Sequence, residues 1–231
     1  MFILTNDDGI DAPGLRSLHQ ALENLASPVT IVAPLHHHSG CSHQVTTHRP
    51  IAMEQRSPQA FAIDGTPVDC TRIALSHLCP EAKFVFSGIN AGGNLGADVY
   101  ISGTVAAVRE AALHRIPGIA ISHYIRRGMA IDWQVATRLT QTVLQQLMNQ
   151  PLEAGCFWNV NLPHLAPGDP EPEIMVCPLC SQPLPAKYEL EGTVLQYVGD
   201  YQQRSRDPGA DVEVCFSGNI AVTPVRVSGN A

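Results

Sequence analysis

Asn6, Asp7, Asp8 and Gly9 set two carboxylates side by side directly after the apolar run at residues 2–4. Adjacent carboxylates repel, and a divalent cation is the simplest counterweight. With neutral oxygens from Ser39 and Asn90 the set becomes all-oxygen, which suits one hard cation, Mg²⁺ or Mn²⁺, better than zinc. A second stretch, SGINAGGNLGADVYISGTV at residues 87–105, interleaves glycines with Asn90, Asn94, Ser102 and Thr104. Ser102, Gly103 and Thr104 stand just before an alanine-rich helical run, whose N-terminus offers free N–H groups and a positive dipole to a phosphate. A cation beside a phosphate cradle is equipment for hydrolysing a phosphoester, because it polarises the phosphoryl oxygens and acidifies water. Plainer readings exist for both stretches: Asp7 and Asp8 as turn caps with Gly9 at positive φ, and the long segment as a glycine-rich surface loop. The glycines do not fall at GxGxxG, and there is no GK[ST] lysine.

These residues need a scaffold that brings three loops to one edge. Short β-like runs at 2–4, 29–33, 61–63, 84–87, 118–122 and 157–160 alternate with helical patterns. Leu15, Leu18, Leu22 and Leu25 mark one helical face that closes at Pro28; residues 68–78 and 104–115 also read as helical, and residues 133–148 carry Val135, Leu139, Val143 and Leu147 on one stripe. That rhythm predicts an α/β fold with a doubly wound, mostly parallel sheet. Ligands of such a sheet bind beyond the carboxyl ends of the strands, where NDDG, the loop at 34–40 and the long glycine-rich segment all fall. Ten of the eighteen prolines lie in the last 81 residues, where the runs at 194–198, 212–216 and 220–222 are short and strand-like with no helical pattern. The expected organisation is a catalytic core at 1–164 and an irregular β-rich extension at 165–231.

Composition narrows the function classes. Hydrophobic residues make up 45% of the 231 and charged residues 15%, which is ample for a packed core. A net charge of −7 gives no cationic face for a long nucleic acid. No apolar run is long enough for a membrane span, and the N-terminus lacks a signal-peptide pattern, so a cytoplasmic location is expected. Seven cysteines, an odd number scattered through apolar stretches, suit reduced core thiols; the CxxC of Cys177 and Cys180 has no second pair for zinc and contains Pro178.

The blocks ILTNDDGIDAPG (3–14), VAP with SG (32–34 and 39–40), GTPVDC (65–70), SGINAGGNLGADVYISGTVAA (87–107) and IPGIAIS (116–122) resemble, in this order, the SurE survival proteins, which are divalent-metal-dependent nucleotidases or acid phosphatases. The resemblance implies a metal held by Asp7, Asp8, Ser39 and Asn90, and a phosphate bound by Asn94, Ser102, Gly103 and Thr104. It also implies a Rossmann-like domain with a C-terminal extension exchanged within a homodimer or homotetramer. One departure from the family pattern is Leu35 where an acid is usual, followed by His36, His37 and His38 before the SG pair. Those histidines are either solvated or a titrating group near the site. GTPVDC reads as a turn into a helix, with Thr66 and Asp69 facing the site from behind; Asp98, Arg109 and Glu110 read as helix or loop electrostatics.

The reading that results is a 5′-nucleotidase hydrolysing nucleoside monophosphates, with Asp7, Asp8 and Asn94 as catalytic residues. Attack by water, or by Asp7 or Asp8 to form an aspartyl-phosphate, are both open. The alternative is a non-catalytic or degenerate nucleotide- or Mg²⁺-binding module of receiver-like or SurE-like fold. A receiver would need a phosphoacceptor Asp after its third strand and a lysine after residues 118–122, and neither is evident.

Overall fold

The computed structural model describes residues 1–23, 25 and 27–227. β1 (Phe2–Thr5) lies at the heart of a nine-stranded sheet because both faces of its FILT run are buried. Ile3 and Leu4 point to opposite faces and join two different cores. On one side of β1 lie β2 (Val29–Pro34), parallel to it, and β4 (Ala60–Ile63), parallel to β2; β3 (Met53–Ser57) forms the edge, antiparallel to β4. On the other side lie β5 (Phe84–Ala91), β6 (Gly118–His123) and β7 (Cys156–Leu162), again all parallel. The winding therefore reverses between β1 and β5, which makes their carboxyl ends the topological switch point.

Helices cover both faces. α1 (Pro13–Leu22) starts on a proline and buries Leu15, Leu18 and Leu22 with α5 (Trp133–Leu147), which Asp132 caps. α1 stops at Leu22 and does not run on to Pro28, although Leu25 still packs on the core. The opposite face takes α2 (Pro67–Ile73), extended by a π-helical turn at Ala74–Leu78, and α4 (Gly103–Leu113), which follows the single turn α3 (Asp98–Ile101). α4 is buried almost all round, and its alanines 106, 107, 111 and 112 let it lie close to the sheet.

Beyond residue 165, β8 (Ile174–Val176) and β11 (Ile220–Arg226) enter the main sheet, with β11 antiparallel to β7 and β8 at the edge. β9 (Tyr188–Glu191) and β10 (Val194–Tyr197) form a separate hairpin, exposed on every residue. The run at 212–216 is not a strand: residues Asp211–Phe216 form α6. Apolar residues at 212, 214 and 216 mimic a strand's alternation, but Val212, Val214 and Cys215 all bury in one turn of helix against β11 and Leu95.

Candidate active site

The turn after β1 is built by Asn6. Its amide donates to Gly9 O (2.8 Å) and its Oδ1 accepts Gly9 N–H (3.2 Å), while Gly9 takes φ +102°. Asp7 and Asp8 are thereby held over the end of β1. Asp7 is buried against the N-terminus of α4, and its Oδ1 accepts the Thr104 hydroxyl at 2.5 Å. Burial pushes its pKa up to about 6; the Thr104 bond opposes the rise and the Asp8 charge adds to it. Asp8 is partly open: Oδ2 accepts Ala91 N–H (3.1 Å) and Oδ1 faces His37 Nδ1 (3.2 Å).

Asn90 comes to this edge through an irregularity in β5 between Ser87 and Asn90. Gly88 makes the bend possible, because at its φ of +135° a Cβ would sit 2.2 Å from Ile121 O. The Asn90 amide nitrogen donates to Gly92 O (2.7 Å), which turns its Oδ1 away from that bond and leaves it available as a ligand. Ser39 lies one residue beyond His38, whose N–H donates to Asp7 O (2.8 Å), but Ser39 is exposed and no hydrogen bond joins its hydroxyl to either aspartate. His36 and His37 are exposed as well; His38 is half-buried, and burial together with the two neighbouring imidazoles lowers its pKa. Among the described residues no Lys or Arg pairs with Asp7 or Asp8. Two crowded carboxylates beside a neutral amide oxygen, with no Lys or Arg against them among the described residues, fit a hard divalent cation.

The expected phosphate-binding residues divide their tasks differently from one another. Ser102 caps α4, its Oγ accepting Val105 N–H (3.1 Å), and Thr104 turns its hydroxyl and its main-chain N–H toward Asp7, so the first turn of α4 has the Gly103 main-chain N–H to offer an anion. Asn94 is buried, and three side chains that sequence reasoning missed hold it. Asn161 Oδ1 accepts Asn94 N–H (2.7 Å); Asn161 and Asn159 both donate to Asn94 O (3.0 and 2.8 Å); and Asn94 Nδ2 donates to Ser122 Oγ (2.7 Å). The available signal was WNVNL, two asparagines at i and i+2 in a run otherwise apolar enough to be wholly buried. Asn161→Leu is expected to cost about 2 kcal/mol of stability, because it orphans a buried N–H and half-orphans a carbonyl. Urea unfolding at unchanged m measures this, and a shift under about 0.5 kcal/mol would contradict it.

The loop that carries Ser39 is tied down a few residues later. Ser42 N–H and Oγ bond Ile101 O (3.0 Å) and Tyr100 O (2.8 Å); Thr66 Oγ1 donates to Gln44 O (2.6 Å); Asp69 Oδ1 accepts Thr46 N–H (2.9 Å). Thr66 and Asp69 also form the capping box of α2, so GTPVD both starts a helix and anchors this loop. Glu110 is buried on α4 and accepts from His43 (2.9 Å), Arg72 (3.1 Å) and His114 (3.3 Å), which hold its carboxyl below the usual range against the cost of burial.

The family model described as Survival protein SurE matches residues 2–184. A protein of Nostoc sp. is 57% identical over 97% of this chain and 99% of its own length. The 5′-nucleotidase SurE of Halorhodospira halophila is 35% identical over 98% of this chain and 92% of its own. The crystal structure of the SurE protein from Aquifex aeolicus superposes with a TM-score of 0.87 at 28% identity, covering 99% of this chain and 94% of that one.

Proposed function

The chain belongs to the SurE family and is a 5′-nucleotidase, and from that premise we propose how its residues divide the hydrolysis of nucleoside monophosphates to nucleoside and phosphate. Asp7, Asp8, Asn90 and Ser39 hold one divalent cation, Mg²⁺ or Mn²⁺; when bound, it supplies charge neutralisation for the phosphoryl oxygens and acidifies water. Asp8, the more open carboxylate, orients the attacking water, while Asp7 stays buried and is kept in place by Thr104. Asn94 offers its second amide N–H to an equatorial phosphoryl oxygen, and the Gly103 main-chain N–H and the Ser102 hydroxyl receive the others, in the turn that Thr104 ties to Asp7. The observation that carries this reading is the contact of Asp7, one of the paired aspartates, with the N-terminus of α4 at the switch point.

Phosphate release from a panel of nucleoside monophosphates tests it. Dialysis against EDTA is expected to lower the rate at least about a hundredfold, and Mn²⁺ or Mg²⁺ to restore it. A rate unchanged in EDTA would refute the metal assignment, and no release from any monophosphate would refute the reaction.

Assembly and setting belong to the same proposal. The β9–β10 hairpin carries Tyr188, Leu190, Leu195 and Tyr197 exposed on one face, suited to a second copy of the chain, and this supports a homodimer or homotetramer. Seven free thiols support a cytoplasmic setting, and among the described residues no helix is long and apolar enough to cross a membrane.

A further inference from the structure

The run that carries Asn94 is completed by residues about a hundred positions further along. Leu95 N–H donates to Asp98 Oδ2 (3.1 Å), and the same oxygen accepts the Tyr201 phenol (2.5 Å) and Arg204 Nη1 (2.8 Å). The next amide, Gly96 N–H, donates to Asp211 Oδ2 (2.7 Å). Two consecutive amides after Asn94 are thus held by carboxylates that the C-terminal segment either neutralises or supplies. Asp98 also heads α3, and its carbonyl accepts Ser102 N–H (3.0 Å). It stands between the two halves of the phosphate cradle, Asn94 on one side and Ser102 to Thr104 on the other.

Arg204 makes this contact at a cost. Its side chain is 0% exposed, it lies 4.9 Å over the Tyr201 ring, and its Nε and Nη2 have no hydrogen-bond partner among the described residues. A buried guanidinium with donors unmatched is a poor device for stability, and an apolar side chain would fill the space with less penalty. The approach is also too close for other residues at position 96: a Cβ on Gly96, at φ +52°, would sit 2.8 Å from Cys180 O and 3.5 Å from Arg204 Nη2.

We propose that Arg204, supported by Tyr201, is a positioning residue for the phosphate site. Its buried pair with Asp98 sets the spacing between Asn94 and the N-terminus of α4, so the C-terminal segment is a working part of the site. The inference rests on the nucleotidase reading, but binding of inorganic phosphate to the Mn²⁺-loaded protein tests it without turnover. An inactive wild type that still binds phosphate would therefore sink the reaction and not this inference.

Calorimetric titration with inorganic phosphate and Mn²⁺ titration by electron paramagnetic resonance give the two readouts. Arg204→Met is expected to weaken phosphate about tenfold and leave Mn²⁺ affinity within about twofold. Arg204→Lys keeps a cationic donor for the one contact Asp98 uses, and is expected to restore phosphate affinity to within about threefold of wild type. A folded Arg204→Met protein that binds phosphate normally, an equal loss of phosphate and Mn²⁺, or no recovery in Arg204→Lys would each overturn the proposal. If Arg204→Met does not fold, Tyr201→Phe decides: about threefold weaker phosphate binding supports the proposal and no change overturns it.

Discussion

Asp8→Asn is expected to lower kcat/KM for nucleoside monophosphates about 10³-fold, equivalent to roughly 4 kcal/mol of transition-state stabilisation, with the fold intact. The fold survives because the structural tasks of this turn do not use the Asp8 charge. Asn6 and Gly9 close the turn between themselves, and an amide oxygen at position 8 can still accept Ala91 N–H. What is lost is one of two negative charges, together with the more exposed oxygen that faces His37. Asp7 then stands alone, buried and with Oδ1 already given to Thr104, so the cation loses its most accessible ligand and water its orienting acceptor. Initial rates at saturating Mn²⁺, with the melting temperature measured on the same preparation, check both halves. A variant within about tenfold of wild-type kcat/KM would remove Asp8 from the mechanism.

The parts of this site that are legible in the sequence are those whose chemistry is contiguous. NDDG follows a buried strand, SGT precedes a helix, and Asn90 and Asn94 lie in one glycine-rich run, so residue type and neighbourhood point to an anion and a cation together. The doubly wound order is legible for the same reason, since β1, β2, β5, β6 and β7 are apolar runs separated by helical patterns. What escapes is whatever depends on pairing at a distance. Asn159 meets Asn94 across 65 positions and Arg204 meets Asp98 across 106, and no local pattern announces either. β3 reads MEQRS, wholly exposed, and is a strand only because β4 offers it an edge. α6 alternates like a strand and is helical because its burial is decided by the strand and loop beneath it. Thr104 shows the intermediate case: its place at the phosphate end of α4 is legible, but the partner of its hydroxyl is a carboxylate 97 positions away in the chain.

Gly103→Ala sets local propensity against tertiary packing, and packing is expected to win. Gly103 opens α4, where alanine ought to stabilise the helix by up to about 1 kcal/mol. In the folded chain, however, a Cβ at this position would lie 2.8 Å from Cys41 Sγ, 2.9 Å from Asp7 Cβ and 3.1 Å from Asp7 Oδ2. The thiol can rotate aside, but Asp7 Cβ is attached to the turn that Asn6 and Gly9 hold, so relief requires α4 to move away from β1. Overpacking of this kind costs about 1–3 kcal/mol, which exceeds the helical gain. The same movement stretches the Thr104–Asp7 hydrogen bond and withdraws the residue-103 main-chain N–H from the phosphate, for an expected fall in kcat of about a hundredfold. Adding Cys41→Ala removes one of the three contacts and neither of those against Asp7, so the double variant should recover part of the stability and little of the activity. A Gly103→Ala enzyme that melts higher than wild type and turns over normally, as helix propensity alone would have it, would mean that Asp7 is not seated against α4.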